Sequence, residues 1–272
     1  MLLNYTPKSL ESSPSPAYKM TANPHKLWWC SGIAVSLCLS LATLPVLAQN
    51  TIRYNPRTNV GAPKVSVPGI TRSAGCLEAN CLTAILPTLP SSSQAAGSNE
   101  ETPPLALTTS ERPTLYFFVP KGEGRAYFRL FEINPKSGKT ERIYRSAFST
   151  KHEAGVIGYQ LPADAPALKL DQDYLWEFTI SDLNTLESTR GTVRRVRVTP
   201  TLARQLLNND PIAKANAYAQ AGIWLDTLQV LANSGGNQFP VQPSATWSEL
   251  LTSVNLGRFA NQPLQSCCQM PN

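Results

Sequence analysis

DYLWEFTI, residues 173–180, is the cleanest alternating stretch of the chain. Tyr174, Trp176, Phe178 and Ile180 fall on one side of an extended backbone, while Glu177, Thr179 and Ser181 fall on the other. Successive strand side chains point to opposite faces, so this period predicts a strand with a buried aromatic face. Tyr174 and Trp176 are read as structural residues of a core, where aromatics supply much of the buried area. Working outward, six more runs of the same kind surround it: LALTT (105–109), TLYFFVP (114–120), AYFRLFEI (126–133), RIYRSAF (142–148), GVIGYQL (155–161) and TVRRVRV (192–198). Pro, Gly, Ser and Asn separate them. Seven short strands at this spacing predict a β-sandwich over residues 105–199.

The approach to the central strand adds a detail. Leu168, Leu170 and the DQD before Tyr174 resemble the entry to the sixth strand of immunoglobulin-like and fibronectin type III sandwiches. In those folds a tyrosine near the strand start bonds its hydroxyl back to the upstream backbone. The resemblance implies that Tyr174 takes this role and that the sandwich is antiparallel and immunoglobulin-like.

After Pro200 the period becomes helical. PTLARQLL (200–207) opens on a proline suited to a first turn. Asp210 and Pro211 give a cap and a first-turn proline for the next helix. An Ala-rich stretch follows and breaks at Gly222. Trp224, Leu225, Leu228 and Leu231 then recur at helical spacing, and WSELLTSV (247–254) closes the set with Thr246 as its cap. Residues 216–232 resemble the middle of a tetratricopeptide hairpin. No second copy occurs at the expected period, so a lone helical hairpin within 200–272 is expected, with Trp224 in its core. The fold class is thus mainly β with α: a sandwich followed by a small C-terminal helical hairpin.

The other end of the chain supplies an address. LWWCSGIAVSLCLSLATLPVLA (27–48) follows Lys26 and ends in small residues, with Val46 and Ala48 placed for signal peptidase. Residues 1–48 are read as a signal peptide, with Met20 as a possible start, and the protein as periplasmic or secreted. The alternative is an uncleaved N-terminal membrane anchor, since the run is long enough to span a bilayer. No other long apolar run exists, so no membrane span is expected after cleavage. Residues 49–104 have linker composition, rich in Pro, Ser and Thr, with one short apolar run after Cys81.

Cleavage leaves Cys76, Cys81, Cys267 and Cys268. In an exported protein an even count suggests disulfides, here with three possible pairings. Ordinary bridges hold their Cα atoms further apart than neighbours stand, which disfavours Cys267 with Cys268. Two cross-links from the Cys76/Cys81 segment to the Cys267/Cys268 tail are therefore favoured. The rival is a four-thiolate zinc site, which an oxidising compartment disfavours.

Charge and motifs mostly exclude. Residues 1–48 hold three Lys and one acidic residue of the chain's 24 basic and 18 acidic, which leaves 21 and 17, net +4. That is too mild, and too free of basic–aromatic runs, for a nucleic-acid binder. One histidine remains, His152, in an expected loop. No nucleophile elbow, phosphate-cradling Gly loop or calcium loop occurs. No catalytic, cofactor or metal residue is assigned. Glu177, Asp182 and Glu187 are the carboxylates that could line a sugar cleft. Arg190, Arg194, Arg195 and Arg197 cluster on the last strand, with Arg194, Arg195 and Arg197 the binding candidates. Their alternation suggests an edge strand guarded by charge, or a site for an anionic ligand such as an acidic polysaccharide.

Several blocks together resemble the cyanobacterial "domain of unknown function 928" family: Gly75-Cys76, LTAILP (82–87), ERPTLYFFVP (111–120), GVIGYQLP (155–162), Tyr174-x-Trp176, YAQAGIWLDTL (218–228) and WSELL (247–251). The chain departs from the family where Gly69-ITRSAG stands for a richer Gly/Arg stretch. It also has Ile180-Ser181-Asp182 where a cysteine is expected. The resemblance implies an exported cyanobacterial protein and no particular activity. The reading is a non-enzymatic exported module of the cell envelope, acting on an envelope protein or anionic polysaccharide. The alternative is an envelope carbohydrate-processing enzyme that uses carboxylates. Paired carboxylates across a cleft would favour the enzyme; an exposed apolar patch around Trp224 would favour a protein partner.

Overall fold

The computed structural model describes residues 51–57, 60, 61, 65, 81–87, 104–182, 186–236 and 239–267, apart from the His152 side chain. The expected signal segment, Cys76 and Cys268 lie outside these residues. Among the described residues nine strands form two sheets. The first has the order β1 (Thr83–Ala84), β3 (Thr114–Val119), β6 (Gly155–Gln160), β9 (Leu264–Gln265). The second has the order β2 (Leu105–Thr108), β8 (Leu186–Arg195), β7 (Asp173–Ser181), β4 (Gly122–Ile133), β5 (Thr140–His152). All neighbours are antiparallel except β2–β8 and β6–β9, which are parallel. Both sheets are therefore mixed, which corrects the expectation of a wholly antiparallel sandwich. Each parallel partner arrives from far along the chain rather than through a hairpin.

The sheets pack face to face through aromatic rings. Phe117 of β3 stacks on Phe178 of β7 at 4.4 Å and meets Trp176 edge-on at 5.4 Å. Tyr159 of β6 stacks on Phe128 at 4.5 Å and on Phe148 at 5.8 Å. These are the inward residues that the alternation of 173–180 predicts, and Tyr174, Trp176 and Phe178 are all buried. The Tyr174 hydroxyl accepts a hydrogen bond from the Lys169 backbone N–H at 3.0 Å. Gly191 of β8 stands opposite Trp176. A Cβ there would sit 2.3 Å from the indole and 2.6 Å from Leu86, so only glycine lets the ring lie flat against the strand.

Strand β3 is buried on both faces along its whole length. Its outward residues meet the helical region: Tyr116 packs edge-on against Trp247 at 5.9 Å, and Phe118 lies 5.0 Å from Phe259. The helices are α1 (Pro200–Gln205), α2 (Pro211–Gln220), α3 (Trp224–Asn233) and α4 (Ala245–Ser253). Thr199, Asp210 and Ser244 cap α1, α2 and α4 with side-chain oxygens. Ser244, not Thr246, caps α4; its oxygen accepts from the Trp247 N–H, and Thr246 falls inside the helix. Between α2 and α3, Gly222 takes φ of +67°, and the Ile223 N–H bonds back to the Tyr218 carbonyl, as in a glycine-terminated helix end. One cluster of buried side chains runs from Phe128 and Phe178 through Phe117 to Trp224, Leu228, Trp247 and Leu250. Sandwich and helices thus share a core, in three layers: helices, first sheet, second sheet.

Two expectations change. Strand β8 is not an edge. It spans Leu186–Arg195, and β2 pairs along its free side from Leu105↔Thr192 to Thr108↔Arg195. Its arginine charges are met by partners, described below, and so do not block pairing. His152 ends β5 rather than occupying a loop.

Replacing Gly191 with Ala should cost about 1–3 kcal/mol of stability by forcing the Trp176 ring or strand β8 aside. Denaturant titration followed by tryptophan fluorescence measures this; an unchanged midpoint would contradict the packing described.

Candidate functional site

The helices cover the outer face of the first sheet. The outer face of the second is open along β7, β4, β5 and the hairpin half of β8. Register places its side chains in rows. Arg190, Glu177, Arg129 and Arg145 form one row across β8, β7, β4 and β5. Arg125 stands opposite Ser181 and Ser149, Tyr127 lies between Thr179 and Ala147, and Arg142 faces Phe131 beyond a bulge. Arg194 with Asp173, and Lys151 with Glu123, mark two corners. Seven basic and three acidic side chains thus share the face, an excess of four positive charges.

The acidic groups are all engaged. Glu177 accepts from Arg129 Nη1 at 2.9 Å and pairs with Arg190 at 3.3 Å, one carboxylate between two guanidinium groups. Thr179 and Ser188 hydroxyls lie beside it at 3.4 and 3.3 Å. Glu123 pairs with Lys151 at 3.2 Å. Asp173 takes both nitrogens of the Arg194 fork, at 2.5 and 2.7 Å. Arg125, Arg142 and Arg145 are exposed and have no carboxylate within ion-pair distance among the described residues. Arg145 stands directly across from Arg129, whose own charge is met by Glu177, so the Arg145 guanidinium is left without a carboxylate partner on this row.

The three arginines that the sequence singles out do different work. Arg194 points to the open face but is held by Asp173 and by the Val60 carbonyl at 2.5 Å. Arg195 points the other way, to the carbonyls of Leu168 and Thr109 and to Glu111 at 3.0 Å. Arg197 lies past the strand, exposed, 3.9 Å from the equally exposed Asp171. They form no common site, because alternation divides them and local partners claim two. The signal missed lies in the outward positions of GRAYFRLFEI: Arg125 and Arg129 alternate with the core residues Ala126, Phe128 and Leu130. Spread over four strands, such a face makes no run in sequence.

The candidate carboxylates do not converge. Glu177 lies on the open face. Glu187, opposite Ile180, accepts the Leu82 N–H at 2.6 Å. Asp182 is exposed at the strand end. A cavity of about 430 Å³ between β3, β6, β9 and α3 is lined by Thr114, Gln160, Gln229, Phe239, Gln265 and Cys267 among others, none of them charged. Trp224 is fully buried, donates its Nε1 hydrogen to the Ile85 carbonyl at 2.8 Å, and meets Tyr54 edge-on at 4.9 Å. It therefore shows no apolar patch to solvent. Among the described residues no group of three His, Cys, Asp or Glu side chains is placed to hold a metal ion. No described helix is long and apolar enough to cross a membrane.

One buried carboxylate remains. Asp226 of α3 accepts the Thr109 backbone N–H at 3.1 and 3.3 Å and also the Thr109 hydroxyl, which fastens the helix to the end of β2. Burial pushes its carboxyl above the ordinary 3.8, and the Thr109 and Thr108 hydroxyls pull it part of the way back. Burial, then the Asp226 charge, raises the nearby Tyr218 phenol.

These features define a mainly β protein with helices on one sheet and a basic, arginine-lined face on the other. The chain belongs to the family described as Domain of Unknown Function (DUF928), which matches residues 67–264, from ahead of β1 to the first residue of β9. No curated protein matches the chain.

The Asp226 geometry predicts a pH signature. The folded state holds this proton to a higher pH than the unfolded chain, so ionisation above the raised value costs stability and protonation below it restores stability. Asp226→Asn lacks this titration. In urea titrations the wild type should therefore gain on the variant as pH falls from neutrality toward 3.8. A difference independent of pH would contradict the assignment.

Proposed function

We propose that this protein is an exported, non-enzymatic binding module of the cell envelope. Its open sheet face takes an acidic polysaccharide through Arg125, Arg142 and Arg145. The observation that carries this reading is the uncompensated charge of that face: three exposed arginines beside a carboxylate already shared by two more. Guanidinium groups bind carboxylate and sulfate oxygens through paired hydrogen bonds. Register spreads them along the face, with Arg142 and Arg145 about 10 Å apart on β5 and Arg125 on β4 four residues, about 13 Å, from the Arg129–Arg145 row, which suits an extended chain with recurring acidic groups better than a single small ion. Tyr127 lies among them, half-buried, and offers an aromatic edge to a sugar ring. Export rests on residues 27–48, whose composition and small-residue end suit a cleaved signal.

The same reading assigns the sandwich to the immunoglobulin-like class. The hydroxyl bond of Tyr174 to the backbone five residues upstream supports this. So do the sheet orders: the first strands divide between the two sheets, and β2 runs parallel beside the last long strand, β8.

The test is binding of the mature protein to carboxylated and sulfated dextrans, with neutral dextran as control. Wild type should bind the charged polymers, more weakly as salt rises. Replacing Arg125, Arg142 and Arg145 together with Glu should weaken this by about tenfold or more, since each charge-assisted hydrogen bond contributes over 1 kcal/mol. Arg197→Glu should leave it nearly unchanged. Equal binding by the triple variant, or equal binding to neutral dextran, would remove the proposal.

A further inference from the structure

The uncharged cavity on the helical side has a polar floor set by the sheet. Thr114 and Tyr116 of β3 stand opposite Gln160 and Gly158 of β6, and all four border the cavity. Alternation puts them on the face that meets the helices. A Cβ on Gly158 would lie 3.0 Å from both Thr114 Cγ2 and Tyr116 Cε1, so the glycine lets both side chains lie down against β6. Gln229, Ala232 and Asn233 share one face of α3 and form the facing wall.

Two hydroxyls in this floor differ from those elsewhere in the core. Thr114 and Tyr116 are only 9 % and 6 % exposed. Neither hydroxyl has a hydrogen-bond partner among the described residues, yet neither is sealed off, and the cavity is the space they border. Every other buried Thr or Tyr among the described residues bonds its hydroxyl within the protein. Burial raises the Tyr116 phenol above its ordinary 10.0, and no neighbour offsets the rise. Buried hydroxyls are costly unless something in the site pairs with them. The side-chain amides of Gln160, Gln229, Asn233 and Gln265 likewise make no hydrogen bond to a described residue.

We propose that this cavity binds a short neutral saccharide, whose hydroxyls pair with Thr114, Tyr116 and the four amides. No charged side chain lines it, so an ionised ligand would lose its hydration and meet no counter-charge. Amides and hydroxyls each both donate and accept, as sugar hydroxyls do, so a dense set of bonds forms without any charge. Phe239, half exposed on the rim, offers an apolar ring to the C–H face of a sugar. The volume of about 430 Å³ lies at the lower end of the range for small-molecule pockets, about 300–1,000 Å³, which suits a short saccharide and not a polymer. A peptide strand fits less well. Leu264 of the neighbouring edge strand β9 already exchanges both backbone hydrogen bonds with Val241, at 2.8 and 2.9 Å, so no open ladder is offered there. The arginine face lies on the other sheet, and neither site depends on the other.

Titration of the protein with cellobiose, maltose and N,N′-diacetylchitobiose, followed by side-chain amide signals in nitrogen–hydrogen correlation spectra, tests this. At least one sugar should shift the signals of Gln160, Gln229 and Gln265 saturably, with a Kd of about 1 mM or tighter. The double variant Thr114→Val with Tyr116→Phe keeps both shapes and removes only the hydroxyls. It should bind that sugar about tenfold more weakly. Its denaturation midpoint should match or exceed that of the wild type, because these hydroxyls hold nothing in the free fold. Replacing Arg125, Arg142 and Arg145 with Glu should leave sugar binding unchanged, which separates failure at this cavity from failure of the arginine face. The proposal is overturned by no saturable shift with any of the three sugars, by equal binding in the double variant, or by a lowered midpoint. Shifts of the same signals by a capped alanine tetrapeptide and by no sugar would make the cavity a peptide site and overturn it as well.

Discussion

Strand β3 has no side that faces water, and the architecture follows from that. Phe117 stacks on Phe178 and Trp176 inside the sandwich, while Tyr116 and Phe118 reach Trp247 and Phe259 outside it. A sheet with only one buried face would leave Tyr116 and Phe118 exposed, and burying side chains of that size contributes about 1.5–3 kcal/mol each. The helices are therefore a required layer of the fold. Their attachment is specific as well as apolar: Trp224 bonds the Ile85 carbonyl, Asp226 the Thr109 N–H, and Tyr54 the Gly222 carbonyl.

Covering one sheet leaves the other to meet solvent. Its outward positions show what an uncovered sheet needs: Thr, Ser, Glu and Arg, with Leu175, Thr179 and Thr192 buried among them. Solubility alone would be served by mixed charge. The face instead holds an excess of one sign, with Arg145 set opposite Arg129, whose charge Glu177 already meets on its other side. That asymmetry sets this face apart from the uncharged cavity on the helical side.

Much of the fold is legible in the sequence. Alternation in 173–180 names the inward aromatics correctly, and Asp210, Pro211 and Gly222 punctuate the helices as read. What escapes is non-local. TLYFFV reads as a dense strand, but its second buried face depends on helices more than a hundred residues later. TVRRVRV reads as an edge because β2, its parallel partner, lies some ninety residues upstream. The arginine face escapes for a related reason: Arg125 and Arg129 on β4 and Arg142 and Arg145 on β5 are interleaved with core residues and converge only through register. The cluster that does stand together in sequence, Arg194 to Arg197, is split by the strand period and largely consumed by Asp173, Glu111 and nearby carbonyls.

The parallel pairing of β2 with β8 also orders events in time. A chain made from its N-terminus produces β2 long before β8 exists, and a hairpin partner is not at hand. The β4–β5 and β7–β8 hairpins close by local contacts, which form fast, whereas β1, β2 and β9 pair only with strands distant in sequence. Residues 105–108 must then wait as an unpaired, largely apolar strand while eighty residues follow. Strand β8 supplies its ladder partner, and the Asp226–Thr109 clasp, made by a helix later still, fastens its end. A truncation after β8 would keep the β2–β8 ladder but remove both β9 and the residue that clasps the end of β2.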